Sequence, residues 1–284
     1  MKPATFDMVR PESLDEALAL LAEHASDAKV LAGGQSLVPV MNFRLAAPGI
    51  VIDLNRVRQL SGITADGSVV RIGAMTRQRE LLESPVIGQA VPLLAKAMPH
   101  VGHVQTRSRG TIGGSLAHAD PSAELPAVMV ALDATFQLSR RKERRDVPAR
   151  EFFVDAMTTV IEPDELLTEI VLPIALPGTH CAFDEMVRRH GDFAIVSVAA
   201  QIANDDLSVA VGGLEAVPRY CGALVSRLRN EKFDVGKLSG FIADELAAAE
   251  PLGDLQASAG YRRELARVLL HDTLKHLLAA RAQS

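Results

Sequence analysis

Two adjacent-glycine segments constrain this chain more than anything else in its sequence. The first is Ala32-Gly33-Gly34-Gln35-Ser36-Leu37, directly after a short apolar run. The second is Gly110-Thr111-Ile112-Gly113-Gly114-Ser115-Leu116-Ala117-His118-Ala119-Asp120. Adjacent glycines let a backbone approach a ligand closely and aim successive N–H groups at one anion. Ser36, Thr111 and Ser115 add hydroxyl donors, a combination that suits a diphosphate. Neither segment matches GxGxxG or the P-loop GxxxxGK[ST], so a Rossmann dinucleotide site and a kinase-type nucleotide site are both disfavoured. Taken singly, either glycine pair can equally be an ordinary turn.

The flanking patterns set these segments in a frame. The first 55 residues read as strand, helix, loop, helix, strand. Ser13 and Glu16 form a capping box, with Leu14, Ala17, Leu18 and Leu21 at helical spacing as far as about His24. Lys29 to Ala32 and Ile50 to Leu54 are strands, the latter after the breaker Pro48-Gly49. Asp66-Gly67 marks a hairpin turn, Thr76 caps a helix through Leu82, and Leu93 to Met98 is a further helical stretch. His100 to Asp120 is polar and glycine-rich, while Thr135 to Leu138 and Leu167 to Leu172 are strands. The charge run Arg140 to Arg145 between them reads as a solvated turn, because no aromatic or further basic residues support a nucleic-acid patch. Pro173 to Pro177 is a candidate linker. Beyond it, Ala194–Ile202 and Leu207–Leu214 form an antiparallel hairpin, followed by helices at about 236–249 and 259–280.

Composition narrows the function. Of the 284 residues 48% are hydrophobic but only 4% aromatic, with no Trp, so the core must be built from Leu, Val, Ile and Ala. A net charge of -5 gives no reason to expect nucleic acid or an acidic membrane as partner. The two cysteines, Cys181 and Cys221, cannot supply the four thiolates of an iron–sulfur cluster. His100, His103 and His118 have no zinc-ligand spacing. No apolar run approaches the roughly 20 residues of a membrane span, and the N-terminus lacks an apolar signal region. A cytoplasmic protein is expected.

Taken with their flanks, these segments resemble the FAD-binding medium subunits of the molybdenum hydroxylases, the carbon monoxide dehydrogenase and xanthine dehydrogenase family. The resemblance runs through AGGQSL and the following Val38 to Leu45, VIDLN, RGTIGGSLAHADPSAELPA, DELLTEIVLP and RRHGDFAIVSVAA, and so covers nearly the whole chain. It implies an α+β fold: a two-subdomain FAD-binding domain of the vanillyl-alcohol oxidase (PCMH) type over 1–175 (subdomains about 1–55 and 56–175), then a C-terminal domain over 176–284 with a three-stranded antiparallel sheet and helices. It implies that Ala32, Gly33, Gly34, Gln35, Ser36 and Leu37, with Thr111, Gly113, Gly114 and Ser115, contact the FAD diphosphate and adjacent sugar chain. His118 and Glu124 match positions at the ribityl chain or flavin side. Gly110 and Leu167 match contacts to the flavin and adenine regions, and Asp192-Phe193 lies where the family has an aromatic residue near the isoalloxazine. Asp120 can equally cap the turn before Pro121, Glu124 can cap the next helix, and Phe193 can be core packing.

By the same resemblance FAD is bound noncovalently, and no residue of this chain acts on substrate. A small subunit with two [2Fe-2S] clusters and a large subunit with a molybdenum–pterin cofactor are the expected partners, in a dimer of heterotrimers. Electrons pass from the clusters to the FAD and on to an external acceptor. Many family members place a lysine just after the position of Phe183, where this chain has Asp184-Glu185. A carboxylate there would not stabilise an anionic reduced flavin as an ammonium does. Two other readings use the same glycine loops differently. A stand-alone flavin oxidase would need an acid or base near the flavin and full activity from the chain alone. An assembly subunit without FAD would stay colourless on reconstitution.

Overall fold

A computed structural model describes residues 2–283. The N-terminal part comprises β1 (Asp7–Val9), α1 (Leu14–His24), β2 (Ala28–Leu31), α2 (Leu37–Asn42) and β3 (Ile50–Asp53). Its three strands pair in parallel in the order β1-β3-β2. Helix α1 buries Ala17, Leu18 and Leu21 against this sheet, as their spacing requires. Only half of the expected capping box forms. Ser13 Oγ accepts from the Glu16 N–H at 3.2 Å, but the Glu16 carboxylate accepts from the Glu12 N–H.

The middle of the chain runs through β4 (Ile63–Asp66), β5 (Val69–Gly73), α3 (Gln78–Glu83), α4 (Pro85–Ala90), α5 (Pro92–Ala97), α6 (Val104–Arg109), α7 (Ile112–His118) and α8 (Glu124–Ala131). It closes with β6 (Thr135–Arg140), β7 (Glu143–Pro148), α9 (Ala149–Phe152), β8 (Phe153–Asp155), β9 (Thr158–Thr159) and β10 (Leu166–Pro173). Among the described residues, five strands make an antiparallel sheet in the order β4-β5-β10-β6-β7. Phe136, Phe152 and Phe153 stack edge-to-face behind it. Every residue of α8 is buried.

The C-terminal part holds β11 (His180–Met186), β12 (Val196–Ala203), β13 (Asp206–Gly212), β14 (Arg219–Tyr220), α10 (Gly222–Asn230), α11 (Leu238–Ala247) and α12 (Ala259–Ala282). The sheet, β11-β12-β13-β14, has four strands among the described residues where three are expected; the fourth is a two-residue strand returning from the loop after β13. Side chains alternate between its faces. Val196, Val198, Ala200 and Ile202 belong to the core built on α10, α11 and α12, whereas Ala199 and Ala210 join the core behind the five-stranded sheet. Ser208 Oγ donates to the Ala131 carbonyl of α8 at 2.7 Å. Both faces are therefore covered, which is why the hairpin reads as two continuous apolar runs.

Several local expectations are corrected. Thr76 caps no helix: its buried hydroxyl exchanges hydrogen bonds with the N–H and carbonyl of Gly62, and α3 begins at Gln78 with Arg77 before it. The polar stretch 100–120 contains two helices, α6 and α7. The charge run is strand on both sides of the two-residue turn Arg141-Lys142, and Arg140 and Arg145 both pair with buried Glu165. Pro173 ends β10 opposite Val69 and so belongs to the sheet, not to the connection that follows it. Helix α10 is absent from the sequence expectations although it is amphipathic, with Leu224, Val225 and Leu228 buried on one face and arginines on the other.

Candidate functional site

The two glycine segments, far apart in the chain, meet in space where Gly33 abuts the turn before α7. A Cβ on Gly33 would overlap the Arg109 carbonyl oxygen and lie 2.8 Å from the Gly110 Cα, so only glycine lets the loops touch. A Cβ on Gly114 would stand 3.3 Å from that of Ala32, on the same seam. Gly33, Gly34 and Gln35, with Arg10, Asn55 and Arg109, line a cleft of about 340 Å³.

The two segments offer a ligand different things. Among the described residues, no hydrogen bond engages the backbone N–H of Gly33, Gly34, Gln35 or Ser36. Ser36 precedes α2 without capping it, and Leu37, half-buried, opens that helix. The second segment has most of its backbone donors occupied. Ile112 N–H bonds the Thr76 carbonyl, Gly113 N–H the Ala74 carbonyl at 2.8 Å, and Gly114 N–H the Thr111 Oγ1 at 3.0 Å. Gly113 is there for packing: a Cβ on it would overlap Ala74. What this segment can present is the Thr111 N–H, the half-buried Ser115 hydroxyl and the proton of the Thr111 hydroxyl, whose oxygen already accepts.

Farther along, α7 ends at half-buried His118, and Asp120 Oδ1 accepts from the Ser122 N–H at 2.9 Å, so Asp120 does cap the turn. The N-cap position of α8 is Ala123, and Glu124 is the first residue of the helix, 2% exposed, with its Oε1 lacking a hydrogen-bond partner among the described residues. Burial, reinforced by the charges of Glu185 and Asp120, pushes its carboxyl up to about 8. The turn is tied to the C-terminal part by the Gly213 N–H, which donates to the Pro121 carbonyl at 2.8 Å. Leu167 is buried in the main core. Asp192 and Phe193 stand on the loop between β11 and β12, and Phe193 is 48% exposed, so it is not core packing.

Of the two carboxylates after Phe183, Asp184 faces solvent, while the Glu185 side chain is only 4% exposed, with Oε1 3.0 Å from His100 Nδ1. Burial raises the Glu185 pKa against the opposing pull of His100. Among the described residues no group of three or more His, Cys, Asp or Glu is placed to hold a metal ion, and no helix is long and apolar enough to cross a membrane.

Sequence reasoning missed Arg77 and gave Asn55 no role, although Asn55 closes the VIDLN motif. Arg77 donates to the Arg109 carbonyl and to Asn55 Oδ1, and Asn55 Nδ2 donates to the Ala32 carbonyl at 3.1 Å. Burial and then the charge of Arg109 lower the Arg77 pKa. Uncommitted N–H groups beside Arg10, Arg77 and Arg109, with a buried carboxyl farther along whose Oε1 has no partner, fit the diphosphate and hydroxyl groups of a flavin dinucleotide.

Known proteins share this sequence pattern and fold. A family model of the FAD-binding domain in molybdopterin dehydrogenase matches residues 4–175, and one of the CO dehydrogenase flavoprotein C-terminal domain matches 181–277. The chain belongs to the family of FAD-binding medium subunits of the molybdenum hydroxylases, and is thus an oxidoreductase subunit of a multi-subunit enzyme with FAD as its cofactor. It is 38% identical to the 6-hydroxypseudooxynicotine dehydrogenase complex subunit alpha of Paenarthrobacter nicotinovorans, over 98% of this chain and 96% of that one. It is 37% identical to the carbon monoxide dehydrogenase medium chain of Hydrogenophaga pseudoflava, over 94% of each. Among solved structures, carbon monoxide dehydrogenase from the same organism superposes with a TM-score of 0.95 at 35% identity, covering 99% of both chains.

Proposed function

We propose that this chain carries electrons through FAD, taking them from the [2Fe-2S] clusters of a small partner subunit and delivering them to an external acceptor. The large partner subunit, with a molybdenum–pterin cofactor, would oxidise the substrate. The complex is a dimer of heterotrimers in the cytoplasm. Within the chain, residues 1–175 bind FAD, in subdomains of about 1–55 and 56–175, and residues 176–284 form the C-terminal domain.

The observation that carries the reading is the row of uncommitted N–H groups from Gly33 to Ser36, beside the turn at Gly110. These donors, with Ala32 and Leu37 on either side, hold the diphosphate. Gly110, Thr111, Gly113, Gly114 and Ser115 form the opposing wall, where Ser115 and Thr111 donate hydroxyl protons. His118, Asp120 and Glu124 lie on the sugar-chain side. Glu124, protonated at neutral pH by its burial, can donate to a hydroxyl without placing a charge there. Leu167 offers apolar contact, and Asp192 with exposed Phe193 covers the ring side. When bound, FAD exchanges one or two electrons, which suits it to a junction between single-electron clusters and a two-electron acceptor. The chain's own residues bind, orient and shield.

A visible spectrum of the purified chain, with mass analysis of what acid or heat releases, tests this reading. Flavin bands and free FAD are expected. A colourless protein, as part of its purified complex, that refuses added FAD would sink the assignment.

A further inference from the structure

Arg77 stands at the seam between the three-stranded and five-stranded sheets. Its guanidinium donates to the Arg109 carbonyl, which precedes Gly110, and to Asn55 Oδ1. Asn55, just past β3, donates to the Ala32 carbonyl, which precedes Gly33. One run of hydrogen bonds thus links the last carbonyl before each glycine segment. A peptide unit is planar, so holding the Ala32 oxygen also fixes the direction of the Gly33 N–H. That N–H is the first of the four uncommitted donors.

The spacing between the segments is set by the same contacts. Gly33 already touches Arg109 and Gly110, and Asn55 and Arg77 hold the carbonyls on either side of that contact. The clamp is itself anchored: Asn55 Nδ2 also reaches Asp53 Oδ1, and the Arg77 N–H donates to Glu80 Oε2 at 3.3 Å. Arg77 and Arg109 are like charges held near each other. A bound dianion beside them would offset their repulsion.

We propose that Asn55 and Arg77 are positioning residues for the FAD diphosphate, fixing the Ala32–Gly33 peptide and the spacing between the two glycine segments. The inference rests on the reading that these segments hold FAD. Neither side chain needs to touch the flavin.

The test uses the chain in its purified complex, stripped of flavin and titrated with FAD. Variants R77M, R77K, N55D and the double variant R77M/N55D are compared with wild type. R77M should raise the FAD dissociation constant about 10- to 100-fold, as expected for lost hydrogen bonds from a charged group, and N55D, which loses only the neutral donor to the Ala32 carbonyl, about 3- to 10-fold. The double variant should be within about threefold of the worse single one, because both cut the same run. R77K should fall between wild type and R77M, since an ammonium lacks the fork that reaches both acceptors. The two 31P resonances of bound FAD should move in the variants while the flavin absorption bands stay in place.

Wild-type affinity in R77M overturns the clamp, as do losses that multiply in the double variant. A loss of affinity with unmoved 31P resonances and a matching fall in the melting temperature of the flavin-free protein shows a merely structural role, and also overturns it. Wild-type complex that binds no FAD overturns the reading of the site itself, and the clamp with it.

Discussion

Gly33-Gly34 and Gly113-Gly114 each place two glycines beside a hydroxyl, yet one pair leaves its peptide N–H groups open and the other has them engaged. The first pair lies in a loop where Gly33 meets another stretch of backbone across the seam. The second opens a helix, where Thr76, Ala74 and Thr111 accept the donors of its first turn and Ala74 demands the absence of a side chain. Similar local composition thus leaves backbone donors open in one place and engages them in the other, while close packing demands glycine in both. A glycine pair tells where backbones come near something, not what that something is.

Substitutions at the second pair should pull these two roles apart. Gly114→Val would push Thr111 aside and press on Ala32, and is expected to abolish FAD uptake while the chain still folds. Gly113→Val, driven into the Ala74 backbone, is expected to cost about 1–3 kcal/mol or more of stability, as overpacking does. Flavin absorbance and thermal melting of the flavin-free protein, measured on both, would check this. Equal effects of the two variants on both readouts would erase the distinction.

A pH-dependent effect is expected at Glu124. Its folded pKa of about 8 lies above its ordinary value of 4.5, so between these pH values the folded state holds a proton that the unfolded state has lost. Stability of the flavin-free protein should therefore fall as pH rises through that window. Glu124→Gln should flatten the dependence, as denaturant titrations across the window would show; an unchanged slope would place its source elsewhere. Smallest is Thr111→Ala, which removes the acceptor of the Gly114 N–H and should cost about 1 kcal/mol as a lost helix cap. A larger loss of FAD affinity than of stability in this variant would instead show that the hydroxyl serves the ligand.

Strands β2 and β3, the hairpin of β12 and β13 and the long last helix are legible in the sequence, because period and turn residues there agree with the final packing. Helix α7 is hidden, since a helix with two glycines in its first turn has poor propensity and forms because tertiary contacts hold it. The residues of the glycine segments could be named as candidates from their types. Asn55 and Arg77 could not, because their use depends on bringing residues 32, 55, 77 and 109 together. The engagement of the Ile112 to Gly114 donors was equally invisible, being a matter of which acceptors lie opposite.

The C-terminal sheet, covered by α12 on one face and by α8 on the other, has a consequence for how separable the parts of this chain are. A protease that nicks the connection between Pro173 and His180 would divide the polypeptide without baring either side of that sheet. The fragments should travel together through gel filtration and part only in denaturant, since the covalent boundary and the boundary of the packed interior do not coincide.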